Sequence, residues 1–133
     1  MDDSEFDQVP QILFKWVSSL KTIGCPGTLI PMTNQARAVI CGADSNNVIA
    51  AARLLGRGRC LVFAHSGYPY MFINVDLEDR KLIENCRLWF AKGRNAQFVL
   101  IDDTQSLSDV PLDETILVWN GECIKSDTFM QNL

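Results

Sequence analysis

Residues 48–68, V-I-A-A-A-R-L-L-G-R-G-R-C-L-V-F-A-H-S-G-Y, limit more than any other stretch what this chain can fold into. Two apolar runs, Val48–Leu55 and 59–64, flank Gly56-Arg57-Gly58. Glycines on both sides of one arginine suit a tight reversal, because Gly reaches positive φ without a Cβ clash. The spacing predicts two strands joined by a turn and followed by a polar loop at His65-Ser66-Gly67. From Cys60 to Ala64 there is no polar alternation, which predicts a strand buried on both faces at the centre of an α/β sheet. Ligands in open α/β sheets collect beyond the carboxyl ends of strands, and the chain's only histidine stands there. His65 therefore has two readings: a ligand or proton-transfer group, or a strand-end ring that hydrogen-bonds a neighbouring loop and fixes its path.

On the N-terminal side, Val9, Ile12, Leu13, Trp16, Val17 and Leu20 recur at steps of three and four and predict an amphipathic helix that ends before Gly24. Asp7 can cap it, with Pro10 tolerated in the first turn. From Cys25-Pro26-Gly27 the texture changes to short apolar runs separated by Asn, Asp, Ser and Gly, the pattern of a β-meander. Pro31 removes a backbone donor, so the first run is an edge strand or is interrupted there. Ala50-Ala51-Ala52 stands too close to turn signals for a stable helix.

On the C-terminal side, Asp76 and Asp79 predict a capping-box start to a second helix whose stripe is Leu82, Ile83, Cys86, Trp89 and Phe90 and whose stop is Gly93. A strand over 96–101 follows. Strand, helix and strand in succession predict a βαβ crossover, with 59–64 and 96–101 paired in parallel. A short helical turn precedes a strand Thr115–Trp119, Asn120-Gly121 turns, and Ser126 and Asp127 can cap a last helix. A sheet protein ending this way suggests a piece of a longer one. The expected organisation is an acidic tail over 1–8 and one α/β domain over 9–133.

That length suffices for one domain with a sizeable core. Charged residues are 21% of the chain and apolar ones 47%, which argues against disorder. A net charge of -4 disfavours nucleic acid as a partner, and no apolar run approaches the length of a membrane span. The five cysteines are odd in number, widely spaced and without a C-x-x-C pair, which reads as free thiols and, with no sequon or signal peptide, points to the cytosol.

Several residues carry candidate chemistry. Arg57 and Arg59 could present an anion site with the glycine backbone, although hairpin geometry alone explains Gly-Arg-Gly-Arg. Asp102-Asp103 could hold a hard cation, but nothing nearby completes a ligand set, and such a pair also serves as a helix cap. The alternative reading is an amidotransferase-like thiol hydrolase with His65 as base and a loop cysteine as nucleophile; such a site needs a cysteine on a strand-to-helix elbow, and none of the cysteines stands on one. No catalytic residue, metal or cofactor is therefore expected. Tyr68, Tyr70, Met71, Phe72 and Ile73 crowd one loop that must either cover the sheet or form a partner surface.

The run A-A-A-R-L-L-G-R-G-R-C-L-V-F-A-H-S-G-Y resembles a pattern in the N-terminal domain of the TRP channel-associated factors and in the related domain that precedes enhancin-type metallopeptidases. There a strand is followed by G-[RK]-G-R, an apolar strand, a histidine and an aromatic, which fall here on Gly56, Arg57, Gly58 and Arg59, on residues 60–64, on His65 and on Tyr68. The helix around Trp16, the segment N-C-R-L-W-F-A-K-G and the strand F-V-L-I-D keep the family's order, so the likeness covers roughly residues 9–102. The resemblance implies a flavodoxin-like fold of the class I glutamine amidotransferase type, here with an antiparallel meander extension and truncated. It also implies a non-catalytic binding or scaffold module within a factor that regulates a membrane protein, cytoplasmic or peripheral at the plasma membrane. The implied partners are a membrane channel or the remainder of a longer chain. An exposed sheet edge makes a second copy of the chain a further expected partner. The metallopeptidase activity is not carried over, since H-E-x-x-H needs two histidines. Ser66 stands where the family often has an acidic residue.

Overall fold

The computed structural model describes residues 6–21, 27–31, 34–65, 67–74, 76, 78–101 and 107–119. The chain is a mixed α/β protein with two compact units that divide between residues 65 and 66. The first holds a three-stranded antiparallel sheet and the second a two-stranded parallel one.

In the first unit the sheet is a meander of β1 (Ala36–Cys41), β2 (Val48–Leu55) and β3 (Gly58–Phe63), in that spatial order. β1 and β2 join through Gly42 to Asn47, where the Gly42 amide bonds the Asn47 carbonyl at 2.9 Å and Asn46 takes a left-handed φ of 58°. Asn tolerates that region because its short polar side chain bonds locally. A Cβ on Gly42 would stand 2.6 Å from the Ser45 hydroxyl, so a side chain there requires that hydroxyl to rotate away. The β2–β3 hairpin is closed by the pair Leu55 and Gly58, with Gly56 at φ 59° in the first turn position, as a II′ turn requires. Among the described residues of the first predicted run of the meander, only Leu29 joins the sheet, through one bridge to Val48, and Pro31 lies beyond it without strand structure.

Register sorts the sheet into two faces. Arg37, Ala52 and Leu61 align across the three strands on one face, as do Ile40, Ala50 and Phe63. Ala38, Ala51 and Val62 align on the other. Ala50 and Ala52 have no exposed surface, whereas Val62 is 52% exposed. The expectation that 59–64 is central and buried on both faces is thus corrected: β3 is an edge strand, and the central strand is β2. An unbroken apolar run is compatible with burial on both faces but does not require it, and at the edge of the sheet Val62 faces outward.

Helix α1 (Val9–Leu13) packs against β1, with Val9 and Leu13 buried. It is shorter than the spacing predicts, since Phe14 ends it and Trp16 has φ 66°. Aromatic, β-branched and serine residues crowd 14–19 and propagate a helix weakly. Gln8, not Asp7, occupies the N-cap.

In the second unit, helix α2 (Arg80–Ala91) buries Leu82, Ile83, Cys86 and Trp89 along the predicted stripe. Its N-cap is Asp79, with no side-chain cap bond, so the capping box expected from Asp76 and Asp79 is absent; the Asp79 amide instead turns back to the Asp76 carbonyl at 3.1 Å. At the other end Lys92 takes the left-handed cap at φ 53°, and Gly93 follows at φ 85°. The parallel neighbour of β4 (Gln97–Ile101) is β5 (Thr115–Trp119), and among the described residues the neighbour of β3 is the antiparallel β2, in place of the parallel pairing expected of 59–64 with 96–101. Two 3₁₀ turns, Leu107–Asp109 and Leu112–Glu114, lie on the β4–β5 connection, long enough for a parallel crossover. On one face of this sheet Phe98 stacks against Phe72 at 4.8 Å and meets Phe90 edge-on at 6.4 Å. On the other face Val99 and Leu117, paired in register, are both exposed. The expected turn at Asn120-Gly121, the last helix and Asp102-Asp103 lie outside the described residues.

Candidate functional site

The motif residues fall at two places. Gly56 and Arg57 form the hairpin turn; Gly58 and Arg59 open β3, with Arg59 paired opposite Leu54. Cys60 is paired opposite Arg53, whose guanidinium donates to the Gln35 side chain at 3.2 Å. Burial pushes the Cys60 thiol above its ordinary pKa, and the Arg53 charge offsets this in part. At the end of β3 the Ala64 amide donates to the Ile49 carbonyl at 2.8 Å and the Ala64 carbonyl accepts from Gly27 at 3.1 Å. His65 therefore follows a residue held on both sides, and it is half-buried. Ser66 lies outside the described residues, and Gly67 is half-buried.

The aromatic loop is a 3₁₀ turn, Pro69–Phe72, flanked by Tyr68 and Ile73. Proline at its start presets φ, and the Met71 amide closes the turn on the Tyr68 carbonyl at 3.1 Å. The Tyr70 carbonyl accepts from both Ile73 and Asn74. The five residues expected to act together are divided. Tyr68, Met71 and Phe72 are buried, Phe72 through its stacking on Phe98, while Tyr70 is 45% and Ile73 37% exposed. A loop with five large apolar groups both covers its own sheet and leaves a remainder outward, and the three-residue repeat of the turn decides which.

Among the described cysteines, Cys41 is exposed, Cys60 half-buried and Cys86 buried, all as free thiols. Burial on the inner stripe of α2 pushes the Cys86 thiol up to about 12. Cys25 and Cys123 lie outside the described residues. No group of three His, Cys, Asp or Glu side chains among the described residues could hold a metal ion, and no described helix is long and apolar enough to cross a membrane.

One cluster escaped sequence reasoning. Arg37 donates through Nε to Asp7 at 2.8 Å, bonds the Asn34 carbonyl and lies 5.1 Å from the centre of the Phe6 ring. Asp7 is thereby a partner of β1 and not a helix cap. The available signal was Phe6 itself, three residues before Val9 on the same stripe.

Comparison with known protein families, with curated proteins and with solved structures finds no match to this chain.

Proposed function

We propose that this chain is a protein-interaction module without a catalytic role of its own, and that its partner docks on the turn bearing Tyr70 and Ile73. The division within that turn carries the reading. Positions i and i+3 of a 3₁₀ turn eclipse, so Tyr70 and Ile73 lie on one side, while Met71 and Phe72 root the same turn in the core. An aromatic and an aliphatic group held outward on a fixed backbone match the make-up of interface cores and need little ordering on binding. Among the described thiols, burial raises Cys60 and Cys86, opposite to what a thiolate nucleophile requires, which supports the same view for those two.

The motif around Gly56, Arg59 and His65 supports a module similar to the N-terminal domain of the channel-associated factors. On that reading the partner is a cytoplasmic face of a membrane channel or the remainder of a longer chain, and the location is cytoplasmic. A flavodoxin-like, amidotransferase-type architecture with an antiparallel extension is part of the same proposal, supported by the motif and by the parallel pairing of β4 with β5.

The test uses the chain as bait in native cell extract beside the double variant Tyr70→Ser, Ile73→Ser. Truncating a central tyrosine should weaken retention of a specific partner by about tenfold or more. Thermal stability should change little, because both side chains are partly solvated already. Retention that the double variant leaves unchanged would sink the proposed surface, and a well-folded bait that holds nothing specific would sink the module reading. Sedimentation velocity of the bait alone shows whether the partner is a second copy.

A further inference from the structure

Trp16 combines two unusual properties. Its backbone φ is 66°, a region that bulky residues rarely enter, and the residue is 80% exposed, the largest value among the described exposed large apolar residues. The residues around it nonetheless carry a helical pattern. Val9, Ile12, Leu13, Trp16, Val17 and Leu20 stand at i, i+3, i+4, i+7, i+8 and i+11, one face of a helix three turns long. Only the first three belong to α1.

From this mismatch we infer that residues 14–20 are a two-state element, unwound in the present structure and able to continue α1 through Leu20. In the present state the chain leaves the helix by three-residue contacts: Lys15 donates to the Ile12 carbonyl at 3.5 Å and Val17 to Phe14 at 2.9 Å. In the wound state the same amides shift by one carbonyl, Lys15 to Gln11 and Val17 to Leu13, and Trp16 donates to Ile12. That shift returns Trp16 to negative φ. It also places the indole one turn above Ile12 and Leu13, where i and i+4 side chains meet, and so removes it from solvent. Winding and unwinding thus move one large aromatic group between an outward position and the stripe that α1 buries. Pro10 lies in the first turn and obstructs neither state.

The two states respond oppositely to one position. Glycine accepts the left-handed backbone at no steric cost, whereas alanine favours the helix. Trp16→Gly and Trp16→Ala, each compared with the native chain, form the test, read by helical ellipticity at 222 nm and by amide exchange of residues 16–20. Trp16→Ala should gain helical signal and slow those amides by about tenfold or more relative to Trp16→Gly. Equal ellipticity and equal exchange in the two variants would overturn the proposal and leave residues 14–20 as a rigid turn. Unchanged amide protection across β2, which lies in the same compact unit as residue 16, reports that both variants remain folded.

Discussion

Single residues in this chain often do something other than their type suggests. Asp7 has the sequence context of a helix cap, yet its carboxylate is taken by Arg37, because a guanidinium that also sits on the Phe6 ring and bonds the Asn34 carbonyl offers more than one backbone amide. Both partners keep contact with water, so the pair is worth little by itself. A double-mutant cycle on Asp7→Asn and Arg37→Gln should give a coupling of about 1 kcal/mol or less that shrinks in high salt. A larger, salt-independent coupling would mean that the clamp is more secluded than its exposure indicates. Cys86 shows the opposite situation, an ionisable group with no access to solvent. Its folded pKa, pushed up to about 12 by burial, lies above the ordinary thiol value of 9.0, so the unfolded chain loses the proton first as pH rises. The neutral thiol costs nothing near pH 7, and stability falls between about pH 9 and 12 as the unfolded thiolate is favoured. Urea midpoints measured across that window should decline less steeply in Cys86→Ala than in the native chain; parallel declines would assign the loss to other groups.

At the level of elements, local pattern and long-range partnership were unequally visible in the sequence. The β2–β3 hairpin and the stripe of α2 were legible because each is specified by residues a few positions apart: glycines at a turn, apolar groups at three- and four-residue steps. Strand partners were not legible. Nothing in 96–101 distinguishes a neighbour at 59–64 from one at 115–119, and the crossover rule favours the one reached through a helix, whereas β4 pairs with β5 across two 3₁₀ turns. The aromatic turn was half legible. Its composition announced a special surface, but only the 3₁₀ repeat separates Tyr70 and Ile73 from Tyr68, Met71 and Phe72. The same logic applies within β5, where Ile116 and Val118 are buried and Leu117 between them is exposed. Ile116→Ala should lower stability by about 2–4 kcal/mol, as a truncation in a packed core does, while Leu117→Ala should cost well under about 1 kcal/mol. Chemical denaturation of the two variants separates the faces, and comparable losses would show that the outer face of β5 is covered in solution.

For the whole molecule, charge is the most direct guide to behaviour. The chain carries -4 at neutral pH and has a sequence pI near 4.8, so self-repulsion fades as pH falls toward that value. Light scattering should rise to a maximum close to pH 4.8 and fall on either side. A flat profile would mean that the exposed apolar residues Val99, Leu117 and Val62 do not promote association even when repulsion is absent. The alanines of β2 set a different kind of limit. Ala50 and Ala52 are wholly enclosed, so the layer over the sheet is spaced by methyl groups, and a larger side chain there would have to lift that layer or move the strand. The first unit is consequently a fold with a fixed gauge at its centre and latitude at its rim. In a lineage of such chains, substitutions would collect at Ala38, Val62 and the turn, while positions 50 and 52 drift only among the smallest residues.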